Sequence, residues 1–193
     1  MRHIILLLVA LSLGTPEAQE TLRTLVRQHG HVTQAIQNEY PPATFGELVK
    51  HSNLVARVVV IKERAVLSPD ETTVSTRYTA QLLDVMHARG RAPVTGGNIE
   101  IDRLGGTIIL EGKTVNVYES DFPNFELGDE YILFLGGSGG QVYDVPAGGQ
   151  GAFKVVGGLA QQVSRNNAVI RQQIPQLSLE RLRAEVTAAA SRK

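Results

Sequence analysis

Phe122-Pro123-Asn124-Phe125-Glu126-Leu127-Gly128-Asp129-Glu130-Tyr131-Ile132-Leu133-Phe134-Leu135 is the stretch whose reading decides the fold. Leu127-Gly128-Asp129 is a turn signal, and it opens onto Tyr131 to Leu135, the densest apolar and aromatic run beyond the amino-terminal leader. So short a run, with glycine on both sides, reads as a strand buried on both faces. Such a strand needs neighbours on each side, and the flanking segments supply them.

Toward the amino terminus, Asn98 to Leu104 alternates cleanly, and Gly105-Gly106 turns it into Thr107 to Leu110. Glu111-Gly112-Lys113 then turns that strand into Thr114 to Glu119. Upstream lie a β-branched strand, Leu54 to Lys62, a turn within Val66 to Thr73, and a long strand, Val74 to His87. The length of that last strand predicts a bend that lets it serve two parts of a curved sheet. Arg57 interrupts the Leu54 strand, so one face there is expected to be wet or paired. Thr44-Phe45-Gly46-Glu47 has the form of a capping box and predicts a helix from Phe45 to His51, placed after the stop Tyr40-Pro41-Pro42.

Toward the carboxyl terminus, a short strand near Gln141 to Val145 sits between two glycine-rich loops. Ala152 to Val156 and Leu159 to Val163 follow as strands. Leu179, Leu182, Val186 and Ala189 recur at helical spacing behind Ser178, a placed N-cap, and predict a terminal amphipathic helix.

Met1-Arg2-His3 and the run from Ile4 to Leu13 read as a secretory signal peptide, since ten residues are too few to span a bilayer comfortably. Ala18-Gln19 is the expected cleavage point, although Pro16 falls where a small side chain is usual. The expected organisation is a leader over 1–18, a helix or arm over 19–43, a β domain over 44–163, and a linker and helix over 164–193. Export to the periplasm or the extracellular space follows, with no integral membrane segment in the mature chain.

Composition narrows the function classes. The 19 basic and 19 acidic side chains balance, so the basic excess a nucleic-acid binder uses to replace counterions is missing. The chain has no cysteine, which removes disulfides, thiolate metal sites and a cysteine nucleophile.

Short strands with glycine turns and few helices imply a mainly β fold, a small antiparallel barrel or sandwich. The segment from Phe45 to Val163, about three-fifths of the chain, resembles a group of exported bacterial proteins of unassigned function. Carrying the resemblance are Leu48-Val49 leading into Asn53-Leu54-Val55, the strand ending Leu82-Leu83-Asp84-Val85, and Gly105-Gly106. Phe125 to Leu135 and Gln150-Gly151-Ala152-Phe153-Lys154-Val155 complete it. The resemblance implies a five-stranded OB-type barrel similar to the netrin-like domain of tissue inhibitors of metalloproteinases. Those inhibitors bind metal through an amino-terminal cysteine that this chain lacks, so their mechanism is not implied.

Candidate chemistry is sparse. Gly136-Gly137-Ser138-Gly139-Gly140 matches the G-x-S-x-G of a nucleophile elbow, but an extended segment follows where the elbow needs a helix. No histidine lies beyond His87, so the Ser, acid, His order cannot be met. The same glycines lack the Lys-Ser/Thr of a phosphate-cradling loop. Glu119, Asp121, Glu126, Asp129 and Glu130 read as turn and surface residues, split by Phe122-Pro123-Asn124-Phe125 in a way calcium ligation does not tolerate. His29 and His31 read as solvated.

The favoured expectation is an exported, non-enzymatic domain that binds a protein partner or a small ligand through its loops, with no cofactor and no metal. Its candidate binding residues are Arg89, Arg91 and Arg103 as a small basic rim, and Gln141, Tyr143 and Gln150 on the glycine-rich loop. The alternatives are an envelope hydrolase or metal-dependent enzyme using His51 or His87 with nearby acids, and an envelope component docking through its terminal helix.

Overall fold

The computed structural model describes residues 20–90, 93, 95–137, 142–164, 170 and 176–192. The expected leader, Arg91, Ser138 and Gln141 lie outside the described residues. In chain order the elements begin with α1 (Leu22–His29), β1 (Val32–Ile36), α2 (Phe45–His51), β2 (Leu54–Leu67) and β3 (Val74–Ala88). Next come β4 (Asn98–Leu104), β5 (Gly106–Leu110), β6 (Lys113–Glu119), β7 (Glu130–Leu135) and β8 (Val142–Tyr143). A 3-10 turn (Gly148–Gly151), β9 (Ala152–Val156), β10 (Leu159–Gln162), β11 (Leu177–Ser178) and α3 (Leu179–Ser191) complete the described fold.

The fold is mainly β, as expected. One sheet has eight strands in the order β11-β10-β9-β7-β2-β3-β4-β8, and a second has three in the order β1-β6-β5. Neither order closes on itself. Within the larger sheet β4 and β8 run parallel, and the other pairings are antiparallel. An isolated antiparallel bridge joins Gly136, just after β7, to Asp144, just after β8.

β7 is the strand on which the sequence reading turned, and every residue in it after Glu130 is buried. It lies between β2 and β9. Tyr131, Leu133 and Leu135 enter one core with Val58, Tyr78, Leu82 and Ile101, capped by Phe122 and Phe125. Ile132 and Phe134 enter a second core on the opposite face with α2, Phe153 and α3. Two covered faces explain why the run carries no polar alternation. Arg57 is paired as anticipated: its Nη2 lies 2.5 Å from Glu130 Oε2 across the β2–β7 ladder.

The long hairpin β2–β3 does serve two regions. Its near half contributes Val58, Val60, Tyr78 and Ala80 to the first core. Its far half brings Val74, Ala65 and Leu67 to a third core, with Leu22 and Val26 of α1 and Val115 and Val117 of β6. The expected helix or arm over 19–43 divides into α1 and β1. Gly30, at φ 81, ends the helix, and the next residues pair in parallel with β6, from Val32–Val115 to Ile36–Glu119. Local periodicity does not reveal that strand, because its partner among the described residues lies some eighty residues further along the chain.

α3 is capped by Ser178, whose side chain accepts the Arg181 N–H at 3.2 Å. Its buried Leu182 and Val186 pack across α2, β3 and β10. Among the described residues no helix is long and apolar enough to cross a membrane.

Candidate binding pocket

A cavity of about 270 Å³ opens between the connector that follows β1, one side of α2, and the Pro146-Ala147 turn. Tyr40, Pro41, Pro42, Ala43, Leu48, Phe134, Pro146 and Ala147 give it mainly apolar walls; Glu47, His51 and Ser52 add polar groups.

The walls are fixed by local chemistry. Prolines at 41 and 42 hold their own φ and restrict the residue before each, so the connector is stiff. Gln150, only 1 % exposed, pins it: its Oε1 accepts the Ala43 N–H at 2.9 Å, and its Nε2 donates to Pro41 O at 3.1 Å and Tyr40 O at 3.4 Å. Gln162 Nε2 in turn donates to the Gln150 carbonyl at 2.7 Å. Gly148 sits at φ 52 with its Cα against the Tyr40 ring, where any Cβ would overlap that ring. Part of the glycine-rich loop is therefore an internal latch.

α2 carries the full capping box. The Glu47 N–H donates to Thr44 Oγ1 at 3.3 Å, and the Thr44 N–H and hydroxyl donate to Glu47 Oε2 at 2.7 and 2.9 Å. Those bonds hold the Glu47 carboxyl below its ordinary pKa of 4.5, the Thr44 N–H contributing most. His51 follows one turn later on the same face. The buried Ser52 hydroxyl donates to Leu48 O at 2.6 Å and is not a free nucleophile.

Behind the pocket lies a buried polar cluster. Asn38 Nδ2 donates to Glu119 Oε1 at 3.0 Å and to Tyr40 Oη at 3.4 Å. The Tyr40 hydroxyl is pushed up to about 12, first by burial and then by the Glu119 carboxylate. Arg103 points inward from β4, its guanidinium carbon 4.3 Å from the centre of the Phe122 ring, and it donates to Asn124 Oδ1. Burial lowers its pKa, partly offset by Tyr78 and Glu119. The Tyr78 hydroxyl is close enough to assist that cation, yet neither Tyr78 Oη nor Arg103 Nε makes a hydrogen bond of ordinary geometry.

The residues singled out from sequence fall in different places. Arg103 is 5 % exposed and Gln150 is buried, so neither forms part of an outward rim; each holds interior structure together. Arg89 donates from Nη2 to Lys50 O at 2.8 Å and to Val49 O at 3.3 Å, which satisfies carbonyls at the end of α2. Tyr143 is half-buried in β8 and packs against the first core. Arg91 and Gln141 lie outside the described residues. The acids around β7 are each engaged: Glu126 and Asp129 with Lys154, Glu130 with Arg57, Glu119 with Asn38, and Asp121 with Ser164. His51 lines the cavity, whereas His87 lies on β3 opposite Val55, its pKa lowered by burial. Among the described residues no three His, Asp or Glu side chains gather as metal ligands.

Apart from His51, the residues that line the pocket are not among those the sequence singles out for a site. Tyr40-Pro41-Pro42 was legible as a stiff stop and Thr44 to Glu47 as a helix cap. Their convergence on Pro146 and Ala147 depends on Gln150, roughly a hundred residues away. No protein-family model matches the chain, and no curated protein matches it.

Proposed function

We propose that the chain is an exported, non-enzymatic binding protein whose pocket takes a small, mainly apolar ligand. One observation carries this reading: a preformed cavity of about 270 Å³, walled by Pro41, Pro42, Pro146, Tyr40 and Phe134 and braced by Gln150. Its size is just below the ordinary range for small-molecule sites, roughly 300–1,000 Å³. Rigid walls favour binding because little ordering cost falls on association. Of the polar groups at hand, Ser52 bonds Leu48 O and one carboxylate oxygen of Glu47 closes the capping box, and His51 has no acid paired with it in the described lining in the manner of a catalytic dyad. That supports binding over catalysis.

The fold proposed for this protein is an OB-type barrel of the netrin-like kind. In its support, β2 pairs with both β3 and β7, β3 with β4, and β4 in parallel with β8. The Gly136–Asp144 bridge then brings the end of β8 to the end of β7. Export rests on the amino-terminal leader. The amphipathic stripe of α3 is occupied on α2 and β3, which favours binding at the pocket over docking through that helix.

Phenol is a suitable probe. Titrating it is expected to shift the amide resonances of Ala43, Leu48 and Ala147, and Ala147→Trp, which fills the cavity, is expected to abolish the shifts while the melting transition stays in place. Shifts that survive Ala147→Trp, or none at these amides in the natural chain, would sink the reading.

A further inference from the structure

The cavity's lining carries an unbalanced charge. Among the described residues that line it, Glu47 alone carries a side chain ionised throughout the neutral range, and none is a lysine or arginine. The carboxylate is held on the same helix face as His51 and fixed in place by Thr44. Both hydrogen bonds to it fall on Oε2, and among the described residues Oε1 accepts from none. The same lining offers aromatic and aliphatic carbon, from Tyr40, Phe134, Leu48 and the prolines. Aromatic side chains that share a lining with a fixed anion suit a cation with an apolar body, because ring quadrupole and carboxylate attract the same charge. A carboxylate or phosphate ligand would instead meet Glu47 with no lysine or arginine among the described lining residues to offset it.

We propose that the ligand is a small primary amine, its apolar body among Tyr40, Leu48, Phe134 and Pro146 and its ammonium group on Glu47 Oε1. This deepens the binding reading above and rests on it. Glu47 is exposed at the mouth, so the charge selects among ligands and adds little to the total affinity. The neighbouring Tyr40 hydroxyl does not compete, since it is turned to Asn38 and Glu119.

The test compares three probes of similar size on the whole chain by amide shift titration: phenethylammonium, phenethyl alcohol and phenylpropionate. All three are expected to report at Ala43, Leu48 and Ala147, with phenethylammonium about three- to fivefold tighter than the alcohol and phenylpropionate weakest. Glu47→Gln keeps a residue that can close the capping box. It should remove the ammonium preference, so that phenethylammonium binds no more tightly than phenethyl alcohol. Equal binding of ammonium and alcohol in the natural chain would overturn the amine proposal and leave the pocket standing. An ammonium preference that survives Glu47→Gln would likewise overturn the assignment to that carboxylate. No shift at these amides with any probe would overturn both readings. Should Glu47→Gln fail to fold, the probe series on the natural chain still decides.

Discussion

The eight-stranded sheet and the three-stranded sheet are held by different forces. Around β7, two apolar cores meet back to back, with the Phe134 ring tilted against Phe45 and Phe153 on one side and Tyr131 against Phe125 on the other. Around β6 there is one smaller core, and α1 closes it with charge. Arg23 lies 2.9 Å from Glu71, and Arg27 2.6 Å from Glu111, at the tips of the β2–β3 and β5–β6 hairpins. Both glutamates adopt left-handed backbone, at φ 56 and φ 50, where a non-glycine residue needs support. A region sealed by half-exposed ion pairs should yield to salt and acid before one sealed by carbon does.

The largest expected effect breaks the first region. Phe134→Ala removes a ring shared by the second core and the pocket, and is expected to cost about 3–5 kcal/mol, read as a lower denaturation midpoint for the whole chain. A loss confined to the pocket, with the midpoint unmoved, would show that β7 is not central. A smaller effect is expected at the joint between the two regions. Gln150→Ala leaves the buried Ala43 N–H without an acceptor and frees the connector, at a cost of about 1–3 kcal/mol. It should also weaken phenol binding, because the proline wall loses its brace.

The mildest test is pH, and it separates the regions by direction. Hydrogen bonds from Arg23 to Glu71 and from Arg27 to Glu111 hold both carboxyls below their ordinary 4.5. Their contribution is complete above that value and is lost as pH falls through the lower folded values, because the unfolded chain there binds more protons. Burial raises Tyr40 to about 12 from an ordinary 10, and it also raises Tyr78 and Tyr131. The Tyr40 contribution is complete below 10 and is lost as pH rises toward 12, since only the unfolded chain ionises easily there. Those of Tyr78 and Tyr131 are lost in the same direction, as pH rises. Asp129, held low by Lys154 at the turn before β7, loses its contribution in acid as well, but two apolar cores stand behind that strand. Amide exchange should therefore open β5 and β6 first in acid and the β7 region first in alkali. The reverse order would dissolve the contrast.

Elements whose cause is local were legible in the sequence. The capping box set α2 at its observed bounds, alternation set β4, and the unbroken run set β7 with two covered faces. β1 was hidden, because a five-residue strand whose partner, β6, lies far along the chain leaves no periodic trace near itself. Arg103 misled for a related reason. An arginine reads as surface by residue type, and the ring of Phe122, the side-chain oxygen of Asn124 and the nearby Tyr78 and Glu119 make its burial tolerable.

What the sequence determined by itself was the central strand, the mainly β class and the absence of thiol chemistry, since each follows from residue type at close spacing. Tertiary structure alone decided that the Tyr40-Pro41-Pro42 connector, α2 and the Pro146 turn would enclose a cavity. Those walls meet through one buried glutamine and one glycine fitted against a tyrosine ring, contacts between distant residues that no local pattern encodes.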